Sequence, residues 1–223
     1  MLPDRRHGRH ADRLHGRTVR IVRPRDSEAL LDEDAFEREE FLPYWAQLWP
    51  SAVALAGAVW ARAPREARTL ELGCGLGLPS IAAAMAGGRV LATDWSADAV
   101  AFTAANAARN GVALSTAVCS WTEPGPFVDR APWDLVLAAD VLYEQRNVQP
   151  LLELLPRLVG GAGEVWVADP GRAAAAAFLA GASAVWEVRS AADALLPGGA
   201  VHRLRRRRPT ASRQGPRPAA SPR

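Results

Sequence analysis

A chain of 223 residues, 49% of them apolar, can bury one complete core and little more. No uninterrupted apolar stretch reaches the ~20 residues of a membrane helix, the arginine-dotted N-terminus lacks the hydrophobic centre of a signal peptide, and two cysteines, Cys74 and Cys119, are too few for a disulfide framework or a zinc cluster. The net charge of +3 conceals an uneven distribution: residues 1–25 hold 8 Arg and 2 Asp, residues 203–223 hold 8 Arg and no acid, and residues 26–202 are left with 11 Arg against 22 acidic residues. The expectation is a cytoplasmic monomer with reduced cysteines, no metal and no membrane partner. Its acidic body favours a cationic substrate and disfavours nucleic acid.

Taken in chain order, residues 1–16 mix Arg, His, Gly and Asp without a period, and residues 208–223 mix Pro, Ala, Ser and Arg. Both read as disordered basic tails flanking a single domain over 17–207. Residues 18–22 alternate as a short strand, 27–40 form an acidic amphipathic segment, and Pro50 suits the first turn of a helix over 51–61. From residue 69 strands over 69–72, 89–93, 114–118, 135–139 and 164–168 alternate with helices over 79–86, 97–110, 148–158 and 172–181. Such alternation specifies a parallel sheet covered on both faces, a Rossmann-like α/β fold. A glycine turn over 160–163 precedes the fifth strand, and segments over 185–188 and 200–204 complete an antiparallel edge pair, giving seven strands.

The first strand runs into Glu71-Leu72-Gly73-Cys74-Gly75-Leu76-Gly77, and the second ends in Asp94. Glycines at a strand tip let backbone N–H groups approach a ligand, and a carboxylate beyond the next strand can accept from both hydroxyls of a ribose. A dinucleotide turn, G-x-G-x-x-G, would place its last glycine where Leu78 stands. A nucleoside without a pyrophosphate suits the shorter spacing. The same corner is also plain turn chemistry, so position matters more than the motif. Glu71 stands near the end of its strand and Asp94, Trp121, Asp140 and Asp169 follow theirs, and in such sheets ligands bind beyond the carboxyl ends of the strands.

The blocks Leu42-Pro43-Tyr44-Trp45-Ala46-Gln47-Leu48-Trp49-Pro50, the glycine turn, Cys119-Ser120-Trp121 and Asp134 through Glu144 together resemble family 16 of the seven-strand methyltransferases. The resemblance implies a class I methyltransferase sheet and S-adenosyl-L-methionine as cofactor. It also implies transfer to a lysine side chain of a protein, with a small amine or pyridine nitrogen as the alternative acceptor and a non-catalytic binding module as the remaining reading. Cofactor contacts fall on Trp49, Glu71, Gly73, Gly75, Leu76, Gly77, Asp94, Trp95, Trp121 and Ala139, and Trp45 is placed on the acceptor side. Asp140 and Tyr143, which match the D-x-x-Y signature, take the catalytic roles of orienting the amine and lining its channel; the competing reading is an Asp that caps the following helix. Asp169-Pro170-Gly171-Arg172 is similar to a block of the electron-transfer flavoprotein β-subunit branch, which makes a lysine of that flavoprotein the expected acceptor. All 27 basic side chains are Arg, so the chain offers no lysine of its own for methylation.

Overall fold

The structure, a computed structural model, describes residues 7–14, 17–24 and 44–207. Seven strands form the central sheet in the order β5-β4-β3-β6-β7-β9-β8. They are β3 (Arg68–Leu72), β4 (Arg89–Asp94), β5 (Ser115–Val118), β6 (Trp133–Ala139), β7 (Val159–Asp169), β8 (Trp186–Ala191) and β9 (Ala200–Arg206). The expected edge pair is β8 with β9, and β9 inserts between β7 and β8, antiparallel to both. The chain leaves β3 for β4 and β5 on one side and returns to β6 on the other, so a crevice opens beyond the tips of β3 and β6.

Strand periodicity assigns the two faces. On β6, Leu135 and Leu137 point to one side with Trp166, while Val136 and Ala138 point to the other with Val165 and Val167. The first side is covered by α1 (Pro50–Arg62), α2 (Leu78–Met85) and α3 (Ala97–Arg109) through Leu55, Val59, Ile81 and Phe102. The second is covered by a short α4 (Gly125–Val128), α5 (Val148–Leu158) and α6 (Ala173–Ala182) through Phe127, Leu151, Leu155 and Phe178. Each such side chain contributes about 1.5–3 kcal/mol by leaving water. Pro50 occupies the first turn of α1, where its missing N–H is no loss, and Ser96 caps α3 by accepting from the Ala99 N–H at 3.3 Å. No helix among the described residues is long and apolar enough to cross a membrane.

Two expectations are corrected. Part of the tail expected over 1–16 is a strand, β1 (His7–Leu14), which pairs antiparallel with β2 (Arg17–Pro24) from His7 opposite Pro24 to Leu14 opposite Arg17. Backbone pairing needs no apolar period, so a strand of Arg, His and Gly gives no alternation to read. The turn expected over 160–163 belongs to β7: Trp133 pairs with Val159 and Leu135 with Glu164, so the glycines bulge out of the ladder. A Cβ on Gly163 would lie 2.6 Å from the Trp133 carbonyl, which only glycine avoids. The acidic segment over 27–40 and the tail over 208–223 lie outside the described residues.

Candidate active site

The tip of β3 turns under α2 through three glycines with positive φ, Gly73 at +69°, Gly75 at +52° and Gly77 at +83°. A Cβ on Gly77 would stand 2.7 Å from the Thr103 side chain, so α3 approaches this turn closely because the residue is glycine. The approach has a purpose in hydrogen bonding. The Thr103 hydroxyl donates to the Gly75 carbonyl at 2.9 Å and the Asn106 amide to the Leu76 carbonyl at 3.0 Å, so α3 holds the turn by its carbonyls.

Asp94 closes the turn from β4. Its Oδ2 accepts from the Gly75 N–H at 2.9 Å and its Oδ1 from the Ser96 N–H at 3.0 Å. Burial pushes this carboxyl above its ordinary value, against the pull of those N–H groups. Glu71 is more extreme. Its Oε2 accepts from the Ser80 N–H at 2.9 Å and from the Ser80 hydroxyl, while its buried Oε1 has no hydrogen-bond partner. Burial pushes Glu71 up to about 8, with nearby Asp94 adding to the rise and the Ser80 bonds opposing it. A buried acid with one unanswered oxygen is a place for a cation or a donor.

At the tip of β6 Asp140 takes φ +59°, a left-handed geometry that Asp tolerates better than most residues. Its N–H donates to the Ala168 carbonyl at 2.9 Å, and its carboxylate receives the Arg172 guanidinium. Asp140 does not cap the following helix. Asn147 precedes α5 and its amide donates to the Val141 carbonyl at 2.8 Å. Asp169, at the end of β7, accepts from the Gly171 and Arg172 N–H groups at 2.7 and 2.8 Å and so fixes the start of α6. Tyr143 lies against Tyr44, ring centroids 5.3 Å apart, and Tyr44 meets Trp49 edge-on at 6.2 Å. Burial raises the Tyr143 phenol above its ordinary value.

These groups share one cavity of about 300 Å³. Trp49, Glu71, Gly73, Gly75, Leu76, Gly77, Asp94, Trp95, Trp121, Ala139, Asp140 and Tyr143 all line it, Glu71 and Asp94 at the glycine turn and Asp140 and Tyr143 at the tip of β6. Trp45 lies at the glycine end, its carbonyl 3.3 Å from where a Gly75 Cβ would sit and its ring 5.4 Å from Phe102. Tyr44 instead takes the place beside Tyr143. Sequence reasoning gave no role to Tyr44 or to Arg172, which also line the cavity. Both stood inside quoted blocks, and the signal for Arg172 was a cation three residues beyond a strand-end acid.

A family model described as lysine methyltransferase matches residues 44–180. The electron transfer flavoprotein beta subunit lysine methyltransferase of Danio rerio is 33% identical over 135 residues, covering 59% of this chain and 51% of that protein. The histone-arginine methyltransferase METTL23 of Xenopus laevis is 34% identical over 117 residues, covering 49% of each chain. The chain thus spans about half the length of the curated relatives it matches. Among solved structures, the T. thermophilus 16S rRNA methyltransferase RsmC superposes with a TM-score of 0.66 at 15% identity, over 93% of this chain and 52% of that one, a likeness of fold.

Proposed function

The chain belongs to the family 16 lysine methyltransferases, and from that premise we propose that it transfers methyl groups from S-adenosyl-L-methionine to a lysine side chain of a protein. The electron-transfer flavoprotein β subunit is the first acceptor to test, because a relative named for that substrate is 33% identical. We assign the catalytic domain to 17–207, preceded by β1.

The cavity residues fit this cofactor. The unpartnered Glu71 Oε1 suits the cationic amino end of a methionine, and Asp94, besides accepting from backbone N–H groups, can accept from ribose hydroxyls. Trp121 and Trp49 supply flat apolar walls, and Gly73, Gly75 and Gly77 keep the floor free of side chains. When bound, the cofactor supplies an electrophilic methyl carbon: the acceptor nitrogen's lone pair forms the N–C bond and the C–S pair stays on sulfur.

This chain's own contribution lies at the other end. Asp140 binds and orients the amine, and the Tyr143 and Tyr44 rings line its approach and favour positive charge growing on nitrogen. The observation that carries the reading is that one cavity joins a buried, cation-seeking acid at the glycine turn to an acid-and-tyrosine pair at the next strand tip. Incubation of the purified chain with methyl-labelled cofactor, flavoprotein β subunit and a cell lysate should place label on lysine in a defined protein. Label confined to arginine, to RNA or to small metabolites overturns the acceptor assignment.

A further inference from the structure

Among the described residues, Arg172 is the one cation lining the cavity. Its guanidinium donates to Asp140 Oδ1 and lies 3.6 Å from Asp169 Oδ2. Asp169 is held in place by the Gly171 and Arg172 N–H groups on its other oxygen, and Oδ2 itself is buried without a hydrogen-bond partner. The Arg172 side chain is 32% exposed, so it has room to turn. One carboxylate is thus in use by the guanidinium, and a second, equally fixed, waits beside it.

We propose that Arg172 is a positioning residue that stands in for the acceptor's cation on Asp140 and shifts toward Asp169 when the amine arrives, keeping beside that amine a charge that promotes loss of its proton. The inference rests on the methyl-transfer reading of the site. A lysine side chain enters as an ammonium, with an ordinary pKa of ~10.4, and has no lone pair until a proton leaves to solvent. Asp140 alone would hold it as the ammonium, because a carboxylate favours the charged form. The other groups facing this point add to that hold or are neutral: Glu71 from β3, Asp94 from β4, Tyr143 and Glu144 after β6, and Asp169 from β7, with His202 of β9 behind it. Arg146 is paired with Glu144. The Arg172 guanidinium does not release its own proton, so it opposes a second cation and favours the neutral amine.

The test uses Arg172→Met, which keeps length and removes charge, with Arg172→Lys as the conservative variant and Arg172→Gln repeating both readouts. In the first, n-butylammonium chloride is titrated into the cofactor-free chain at constant ionic strength and followed by NMR. R172M should bind it about tenfold more tightly than the native chain, since Asp140 no longer has an internal partner, and Asp140→Asn should not bind it. In the second, transfer to a lysine acceptor is followed against pH at saturating cofactor. The acid limb of R172M should move up by about 1 pH unit, with R172K close to the native position. Unchanged butylammonium affinity in R172M, or a limb that stays in place, overturns the proposal. A native chain that binds butylammonium in this pattern yet methylates no lysine at any pH sinks the methyl-transfer reading while leaving the two seats of Arg172 intact.

Discussion

Asp140 combines a left-handed backbone with a carboxylate aimed into the cavity, so the informative substitution is one that keeps the backbone and removes the charge. Asn tolerates φ near +60°, whereas Ala would add strain. Asp140→Asn should lower kcat/KM by about 100-fold or more while leaving the affinity for S-adenosylhomocysteine unchanged by calorimetry. Asp94→Asn should do the opposite, weakening that affinity by about 1.5–3 kcal/mol for each charge-assisted bond lost. Glu71 gives a pH signature. Its folded pKa of about 8 lies above the ordinary 4.5, so the folded state holds a proton that the unfolded chain releases. That contribution is complete below 4.5, declines by about 1.4 kcal/mol per pH unit as the pH rises, and is gone above 8. Thermal melts of the native chain should therefore fall from pH 5 to 8, and Glu71→Gln should flatten that slope. A parallel decline in both proteins would remove Glu71 as the cause.

The alternation of strand and helix was legible because buried strands are short apolar runs such as Leu135 to Ala139 and Pro50 marks a helix start. The glycine turn and the strand-end acids were legible for the same local reason. What escaped was settled by residues far apart in the chain. Asn106 of α3 and Asn110, the residue that ends it, grip β2: Asn106 bonds both the N–H and the carbonyl of Val22 at 2.8 and 3.1 Å, and Asn110 does the same for Arg20 at 2.9 and 2.8 Å. In sequence both residues stand only as members of the helical segment read over 97–110. The Arg172 contact with Asp140 likewise spans 32 residues and two elements. Asn106→Ala should lower the unfolding free energy in urea by about 1–3 kcal/mol for each buried group left unpaired. It should also weaken cofactor binding, since the same amide holds the Leu76 carbonyl.

The acidic body and arginine-rich flanks give the molecule a field that belongs to no single element. Residues 26–202 carry 22 acids against 11 Arg, and Asp94, Asp140 and Glu144 are among those lining the cavity. A lysine-bearing acceptor should be drawn to that mouth, so kcat/KM should fall as ionic strength rises from about 0.05 to 0.3 M. A flat salt profile would mean that association owes little to charge. The order of the sheet has a consequence in time. Because β9 inserts between β7 and β8, β8 has no sheet neighbour until residues 200–206 exist. During synthesis the nascent chain must therefore wait, with the margin of β7 uncovered, until β9 has left the ribosome. The half-made protein should be most open to proteases and most attractive to chaperones in this interval.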